Sequence, residues 1–356
     1  MRRLRFHPCG NYRESYGEEL RIFETDFGRA AMLCGLALLF LVVPFVSSPY
    51  LLYVINLTGI TAIGALGLNI LIGFTGQISL GHGAFIGVGA YGAAILATSW
   101  NLPLFVSIPM AGILTAAVGM IFGVPSVRLK GLYLAIATLA GQFIIEYVLI
   151  QWEGLTMGTQ GIVLPEPSLF GLSISGDRAF FFLIFALVVL MTWMAKNLFR
   201  TRAGRAFMAI RDNDRAAEGM GIPIFPYKLL AFGISSFYAG IAGALWAYYT
   251  MSITPEPFNL DLSIEYIAMV IIGGLGSITG SIFGAVFISA LNEILRSLSD
   301  ILTNLPALQG VDLNPAALRQ FVFGLAIVLF ILFEPKGLAE VWRVIRSSFR
   351  LWPFSY

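Results

Sequence analysis

Apolar residues along this chain come in long blocks separated by short polar stretches. They do not show the two-residue or 3.6-residue alternation of a half-buried strand or helix. Ten apolar runs stand out, at residues 30–48, 50–72, 77–98, 103–126, 131–150, 179–197, 226–250, 264–275, 277–295 and 317–334. A helix needs about 20 predominantly apolar residues to cross the hydrocarbon core of a bilayer. The pattern therefore predicts an all-α polytopic membrane protein with about ten transmembrane helices, and 264–275 is short for a span. Three regions follow: a polar arm over 1–29, a membrane domain over 30–335 and a tail over 336–356. The arm is too long and the Ser47-Ser48-Pro49 junction too poor a cleavage site for a signal peptide, so the first run reads as an uncleaved anchor.

Two of these runs are interrupted. "LIGFTGQISLGHGAFIGVGAYGAAIL", Leu71 to Leu96, carries Thr75, Gln77, Ser79, His82 and seven glycines. "IIGGLGSITGSIFGA", Ile271 to Ala285, carries Ser277 and Thr279. Interrupted helices at membrane depth are tolerated only where they are buried in protein or line a cavity. The glycines alone, such as the Gly83/Gly87 pair, read as close helix packing. The polar side chains need partners or a wet path. Thr75, Gln77, Ser79, His82, Ser277 and Thr279 are therefore candidate translocation-pathway residues. His82 by itself reads as a hydrogen-bonded packing residue, because no second metal ligand accompanies it.

Charge adds orientation. Loop 196–228 holds seven Lys and Arg, Arg128 and Lys130 mark another short loop, and Lys336, Arg343, Arg346 and Arg350 mark the C-terminus. The arm holds Arg2, Arg3, Arg5, Arg13, Arg21 and Arg29, whereas 251–263 holds no base at all. Ten spans put every basic segment on one side, and short cytoplasmic loops are the basic ones, so both termini are expected in the cytoplasm. Within the basic loop, Asp212, Asn213 and Asp214 can cap a short helix over "RAAEGMG", ended by glycine with Pro223 beyond. The loop over 198–226 is thus a candidate docking segment for a cytoplasmic subunit.

Composition excludes other classes. Charged residues make up 12% of the 356, against about 25% in a soluble domain. A net charge of +2 points to no nucleic-acid partner. Cys9 and Cys34 are too far apart and too differently placed for a metal pair, and read as free thiols. No phosphate-binding loop G-x-x-x-x-G-K-[ST] occurs. No ionisable residue falls at the middle of a run, where ion-coupled carriers usually need one; Glu146, Glu265, Glu293 and Arg296 lie near run ends.

The same stretches resemble a known family. "GLNILIGFTGQISLGHGAFIGVGAY", "VRLKGLYLAIATLA", "LTMGTQGI", "GRAFMAIRDNDRAAEGMGI…YKLLAFGISSFYAGIAGALWA", "YIAMVIIGGLGSITGSIFGA" and "FEPKGL" are similar, in that order, to blocks of the permease subunits of branched-chain amino-acid ABC importers, the LivM type. The resemblance covers most of residues 50–340. It implies a permease domain with a cytoplasmic coupling helix, no enzyme activity and no cofactor bound by this chain. The partners it implies are a paralogous permease, two cytoplasmic ATP-binding subunits and a periplasmic or surface-tethered amino-acid-binding protein. The segment matching the family's coupling region makes Arg211, Asn213, Ala217, Glu218 and Gly221 candidate ATPase-coupling residues. A permease of the same superfamily for urea, short amides or a sugar is the alternative.

Overall fold

The computed structural model describes residues 26–169, 172–173, 176–303, 315–334 and 337–351. Most of the arginine-rich arm, Cys9, the Pro335-Lys336 pair and the last five residues lie outside the described residues. All ten apolar runs fall on helices. They are α1 Asp26–Leu41 with the short α2 Val43–Val46, α3 Pro49–Thr75, α4 His82–Thr98, α5 Leu104–Ser126 and α6 Leu132–Gln151. After the one-turn α7 Glu153–Thr156 come α8 Asp177–Leu198, α9 Arg202–Asp212, α10 Asp214–Gly219, α11 Ile224–Thr250, α12 Leu260–Gly273, α13 Ile278–Thr303, α14 Pro315–Phe333 and α15 Leu338–Leu351.

Six of the described helices are long and apolar enough to span a bilayer, and three further apolar stretches, Ala30–Val46, His82–Thr98 and Gln320–Phe330, are shorter. The first run is split where Pro44, which has no N–H to continue the ladder, opens α2. Local signals set the other ends. Ser48 caps α3 by accepting from the Leu51 N–H, with Pro49 at the first helical position. Asn259 caps α12 by accepting from the Leu262 N–H.

Helices α3 and α11 form the centre of the bundle and are buried over most of their length, whereas α5, α6, α8 and α13 turn broad apolar faces outward. Helix α11 is the hub, packed against α5, α4 and α3, with α12 and α13 paired beside α3. In lipid there is no hydrophobic drive between helices, so close backbone approach and dispersion must hold them. The crossing of α4 and α11 shows how close. A Cβ on Gly243 would lie 2.0 Å from the Ile86 carbonyl oxygen, and one on Gly89 would lie 2.4 Å from Gly240 Cα.

The two ends of the bundle differ. At one end, two antiparallel residue pairs, Ile162↔Ile253 and Val163↔Ser252, join strand β1 (Ile162–Val163), which follows α7, to the strand that follows α11, Ser252–Ile253. A second small ladder pairs Ser168 with Ser173 and Leu169 with Leu172. The opposite end gathers the 76–81 break, the 127–131 turn, the α9–α10 segment, the 274–277 break and the start of α15, as their mutual contacts below show.

Gly243→Leu should destabilise the bundle by about 3 kcal/mol or more, above the usual range for overpacking, because backbone faces backbone and cannot yield. Gly35→Ala should be nearly silent, since nothing lies within 4 Å of its Cβ position. Thermal midpoints of the detergent-solubilised chain, followed by size-exclusion chromatography, test the contrast.

Candidate functional site

The first break begins where α3 ends. Gly76, at φ +69°, adopts the left-handed conformation. Its N–H donates to Ile72 O at 3.1 Å and the Gln77 N–H donates to Leu71 O at 3.1 Å. The first bond is that of an αL helix end, and together the pair satisfies two of the last carbonyls of α3. The chain then runs without helix to His82, the first residue of α4. The exposed N–H groups of this new helix start are satisfied from neighbouring helices. Thr138 Oγ1 accepts from the Leu80 N–H (3.0 Å), Gln142 Oε1 from the Ala84 N–H (2.8 Å) and Ser263 Oγ from the Gly83 N–H (2.8 Å). Gln142 is fixed in turn by donating to Phe258 O at 2.8 Å.

The second break, at residues 274–277, sits against Gly73 in the last turn of α3, just before the first break. Asn69, buried inside α3, holds it there. Its amide donates to Ser277 O at 2.8 Å and to Ser281 Oγ at 2.6 Å, and its oxygen accepts from the Gly276 N–H at 2.9 Å. Gly73 is what lets this happen: a Cβ there would lie 1.8 Å from Asn69 Oδ1 and 2.4 Å from Gly276 N. Ser277 also caps α13, accepting from the Gly280 N–H at 3.1 Å, and its hydroxyl lies 3.2 Å from that of Thr279.

The basic segment closes onto this joint. Arg211, in the last turn of α9, donates from Nη1 to Gly73 O at 2.6 Å. The same nitrogen lies 2.5 Å from the Cβ position of Gly276, and the Arg211 Cα lies 3.7 Å from that of Gly76. Arg211 therefore touches both breaks, with its Cα, Cβ and Cγ at Gly76 and its guanidinium at Gly276. Asn213 then caps α10, accepting from the Arg215 and Ala216 N–H groups at 3.1 Å each. Gly221, at φ +83°, ends α10 in a Schellman turn, with the Ile222 N–H donating to Ala217 O at 3.0 Å and the Gly221 N–H to Glu218 O at 2.9 Å.

Asp214 fastens the front of α10. It pairs with Lys130 of the 127–131 turn and lies 4.0 Å from Lys228 Nζ of α11. The hydrogen bond from Lys130 is the largest influence on its carboxyl and holds the pKa below the ordinary aspartate value, against partial desolvation. The Lys130 side chain is 65% exposed, so solvent screening keeps this pair within the modest range of surface ion pairs. These groups line a polar pocket of about 330 Å³ with Thr75, Gln77 and Arg211.

The predicted residues thus occupy distinct places. Thr75, Gln77, Ser79 and His82 are all enclosed in the packed bundle. Thr75 bonds back to Leu71 O, Gln77 donates to Thr75 Oγ1 (3.0 Å) and Lys228 O (3.3 Å), and Ser79 Oγ accepts from the Gly81 N–H at 3.4 Å. His82 donates from Nε2 to Gly64 O at 3.0 Å, with its ring edge-on to Tyr266. Ser277 is half-buried and Thr279 exposed. Among the coupling candidates, Asn213, Glu218 and Gly221 are exposed, but Ala217 is fully buried (0%) and anchors α10. Arg211 is also exposed, but its guanidinium is bonded to Gly73 O. Sequence reasoning missed α9, Asn69, Gln142 and the Lys130–Asp214–Lys228 group. Asn69 and Gln142 carried a usable signal: each is an amide isolated in an apolar run.

At the opposite end, a crevice of about 560 Å³ between α12, α13 and α14 is lined by Asp261, Glu265, Asn292 and Gln320, with Asn292 donating to Glu265 at 2.7 Å. Among the described residues no group of His, Cys, Asp and Glu could hold a metal ion.

Comparison with known proteins places these features in a family. Residues 50–331 match the family model described as "Branched-chain amino acid transport system / permease component". The chain is 33% identical, over 87% of its length and 75% of the relative's, to the high-affinity branched-chain amino acid transport system permease protein LivM of Escherichia coli K12. It is 28% identical, over 66% of its length and 68% of the relative's, to a probable LivM of Methanocaldococcus jannaschii. It is 25% identical, over 68% of each chain, to the autoinducer 2 import system permease protein LsrC of Escherichia coli O9:H4. No solved structure matches the chain.

Two outcomes test the joint. Asn69→Leu should strand the Gly276 N–H, while the Ser281 hydroxyl keeps its bond to Ser277 O, and the orphaned group should lower stability by about 1–3 kcal/mol in a thermal melt. Because the Asp214 carboxyl titrates lower when folded, its attachment contributes stability above the ordinary aspartate pKa and loses it as pH falls through the folded value. Protection factors over 212–221, with hydrogen exchange corrected for its intrinsic pH dependence, should therefore be flat from about pH 5 to 8 and fall only below about pH 4, whereas Asp214→Asn should show the lowered protection at neutral pH.

Proposed function

The chain belongs to the family of branched-chain amino acid transport permease components, and from that membership we propose that it is the membrane-spanning permease subunit of an ATP-driven importer of branched-chain, aliphatic amino acids. The observation that carries the mechanism is Arg211 bridging the coupling segment to both helix breaks. The chain contains no phosphate-binding loop, so ATP binding and hydrolysis belong to two ATPase subunits that dock on α10 from the cytoplasm. An effector shifts a conformational equilibrium only through its differential affinity for the two states. ATPase subunits gripping exposed α10 positions such as Asn213, Glu218 and Gly221 would supply that difference. Asp214, buried Ala217 and Arg211 would deliver it to α11 and to the paired breaks.

Gln77, Ser79, His82 and the Ser277–Thr279 pair sit on the elements that this movement would shift. Their enclosure supports a closed gate in the present conformation, with the pathway completed by a paralogous permease. The linked outer loops at 162–163 and 252–253 form the platform for an extracytoplasmic amino-acid-binding protein, with Val163 facing solvent. Selection would rest with that protein. The excess of Lys and Arg in its short loops supports a cytoplasmic position for the basic end of the bundle.

A second reading, a permease for urea, a short amide or a sugar, draws support from the similarity to LsrC. Competition of leucine uptake by unlabelled urea, amides or sugars separates the two: inhibition by leucine, isoleucine and valine alone is the expected outcome.

Gly221→Pro and Glu218→Arg should each reduce uptake roughly 5- to 150-fold, the span of a typical coupling free energy. The chain should still assemble, because Glu218 is exposed and proline at 221, which can keep neither φ +83° nor the N–H bond to Glu218 O, disrupts only the exposed end of α10. Radiolabelled leucine uptake measured beside ATPase co-purification checks both halves. Wild-type uptake with intact assembly would remove α10 from the coupling path.

A further inference from the structure

Helix α15 has a composition unlike any span. Its sequence, LAEVWRVIRSSFRL, carries Leu338, Val341, Trp342 and Ile345 at helical spacing, and Arg343, Arg346 and Arg350 likewise three and four residues apart. Such a helix, strongly amphipathic and of low overall hydrophobicity, is built to lie in a membrane interface.

Its position agrees. The helix before it, α14, turns Phe321, Val328, Leu332 and Phe333 outward, and Phe333 is 77% exposed at its last residue. Among the described residues nothing covers that outward apolar column, and it reads as lipid-facing. Only four residues separate Phe333 from Leu338, so α15 starts at the level where the hydrocarbon ends. Its first turn is seated on the bundle. Gly337, at φ +78°, brings its Cβ position to 2.6 Å from Gly274 Cα, and Trp342 meets Phe283 edge-on at 6.0 Å. The apolar face is only partly used by that seat: Trp342 remains 53% and Val344 54% exposed. The charge beside it is basic, with Glu340 as the one acid in α15, paired to Arg343.

We propose that α15 is an interfacial helix that docks on anionic lipid, its remaining apolar surface in the acyl-chain boundary and its arginines among the headgroups. Protein covering would leave that cationic excess in need of an acidic partner, whereas anionic headgroups occupy the same plane. Juxtamembrane basic residues gain about 1 kcal/mol each from such a surface, and the attraction is screened by salt. Because Gly337 packs on Gly274, the docked helix also abuts the second break, so lipid charge and ionic strength reach the coupling joint through backbone contact. Which leaflet it meets rests on the cytoplasmic orientation proposed above; interfacial docking does not.

The test uses the full chain with Cys9→Ser and Cys34→Ser, carrying a single spin-labelled cysteine at Val344→Cys or at Arg343→Cys. It is reconstituted into vesicles of phosphatidylcholine alone or with phosphatidylglycerol. In anionic vesicles the 344 label should be several-fold more accessible to oxygen than to a water-soluble nickel chelate, and the 343 label the reverse. Arg343→Gln/Arg346→Gln/Arg350→Gln, high salt or neutral vesicles should move the 344 label toward water. Val341→Cys serves in place of Val344→Cys if that variant misfolds. Equal water access of both labels in anionic vesicles would overturn the proposal. So would lipid burial indifferent to lipid charge, or burial of the 344 label only when ATPase subunits are added. Sidedness is read separately with an impermeant thiol reagent on Arg343→Cys. Labelling in intact cells would overturn the orientation and leave interfacial docking standing; labelling only in inverted vesicles supports both.

Discussion

A backbone amide or carbonyl left bare in hydrocarbon costs several kcal/mol, and the two non-helical breaks of this chain are arranged around that constraint. Each break frees groups that a continuous helix would have satisfied. Gly76 and Gln77 turn back onto α3, while Thr138, Gln142 and Ser263 reach the start of α4 from two other helices. Asn69 serves the other break from within α3. Because the donors and acceptors come from different elements, satisfying the backbone also ties those elements together. The same polar groups that make the breaks tolerable make them a joint.

Much of this was legible in the sequence. Ten apolar runs gave the helices because hydropathy along a span is a local property. The capping residues and the glycine after "RAAEGM" gave α10 for the same reason. The joint was not legible in that way. Thr75, Gln77 and Ser79 drew notice as polar groups in an apolar run, but their partners, Lys228 and a backbone turn, come from packing. Arg211 read as one more base in a basic loop, and only the fold shows its guanidinium on Gly73 and Gly276. Ala217 read as part of a docking face, yet its burial makes it the foot on which that face stands. Spacing predicts which residues share a helix; it carries no information about which helix lies opposite.

The electrostatics are sparse and local. Charge is confined to the ends of the bundle, and the Lys130–Asp214–Lys228 group is small enough to rearrange at modest cost. By contrast, the glycine crossings set backbone against backbone, and Asn69 holds three partners at once. The α9–α10 segment thus lies between a small ion-pair group on its outer side and a closely packed, hydrogen-bonded joint on its inner side.

Helix α11 gives this arrangement a reach beyond one membrane face. It runs unbroken from Ile224 to Thr250, about 40 Å at 1.5 Å per residue. Its base carries Lys228 beside the coupling segment, and its far end passes straight into the strand that pairs with Ile162 and Val163. It is a strut that reaches both ends of the bundle. In the importer proposed here, linkage across it would be reciprocal: if ATP bound at one end raised the affinity for a binding protein at the other, that protein would raise the affinity for ATP by the same factor.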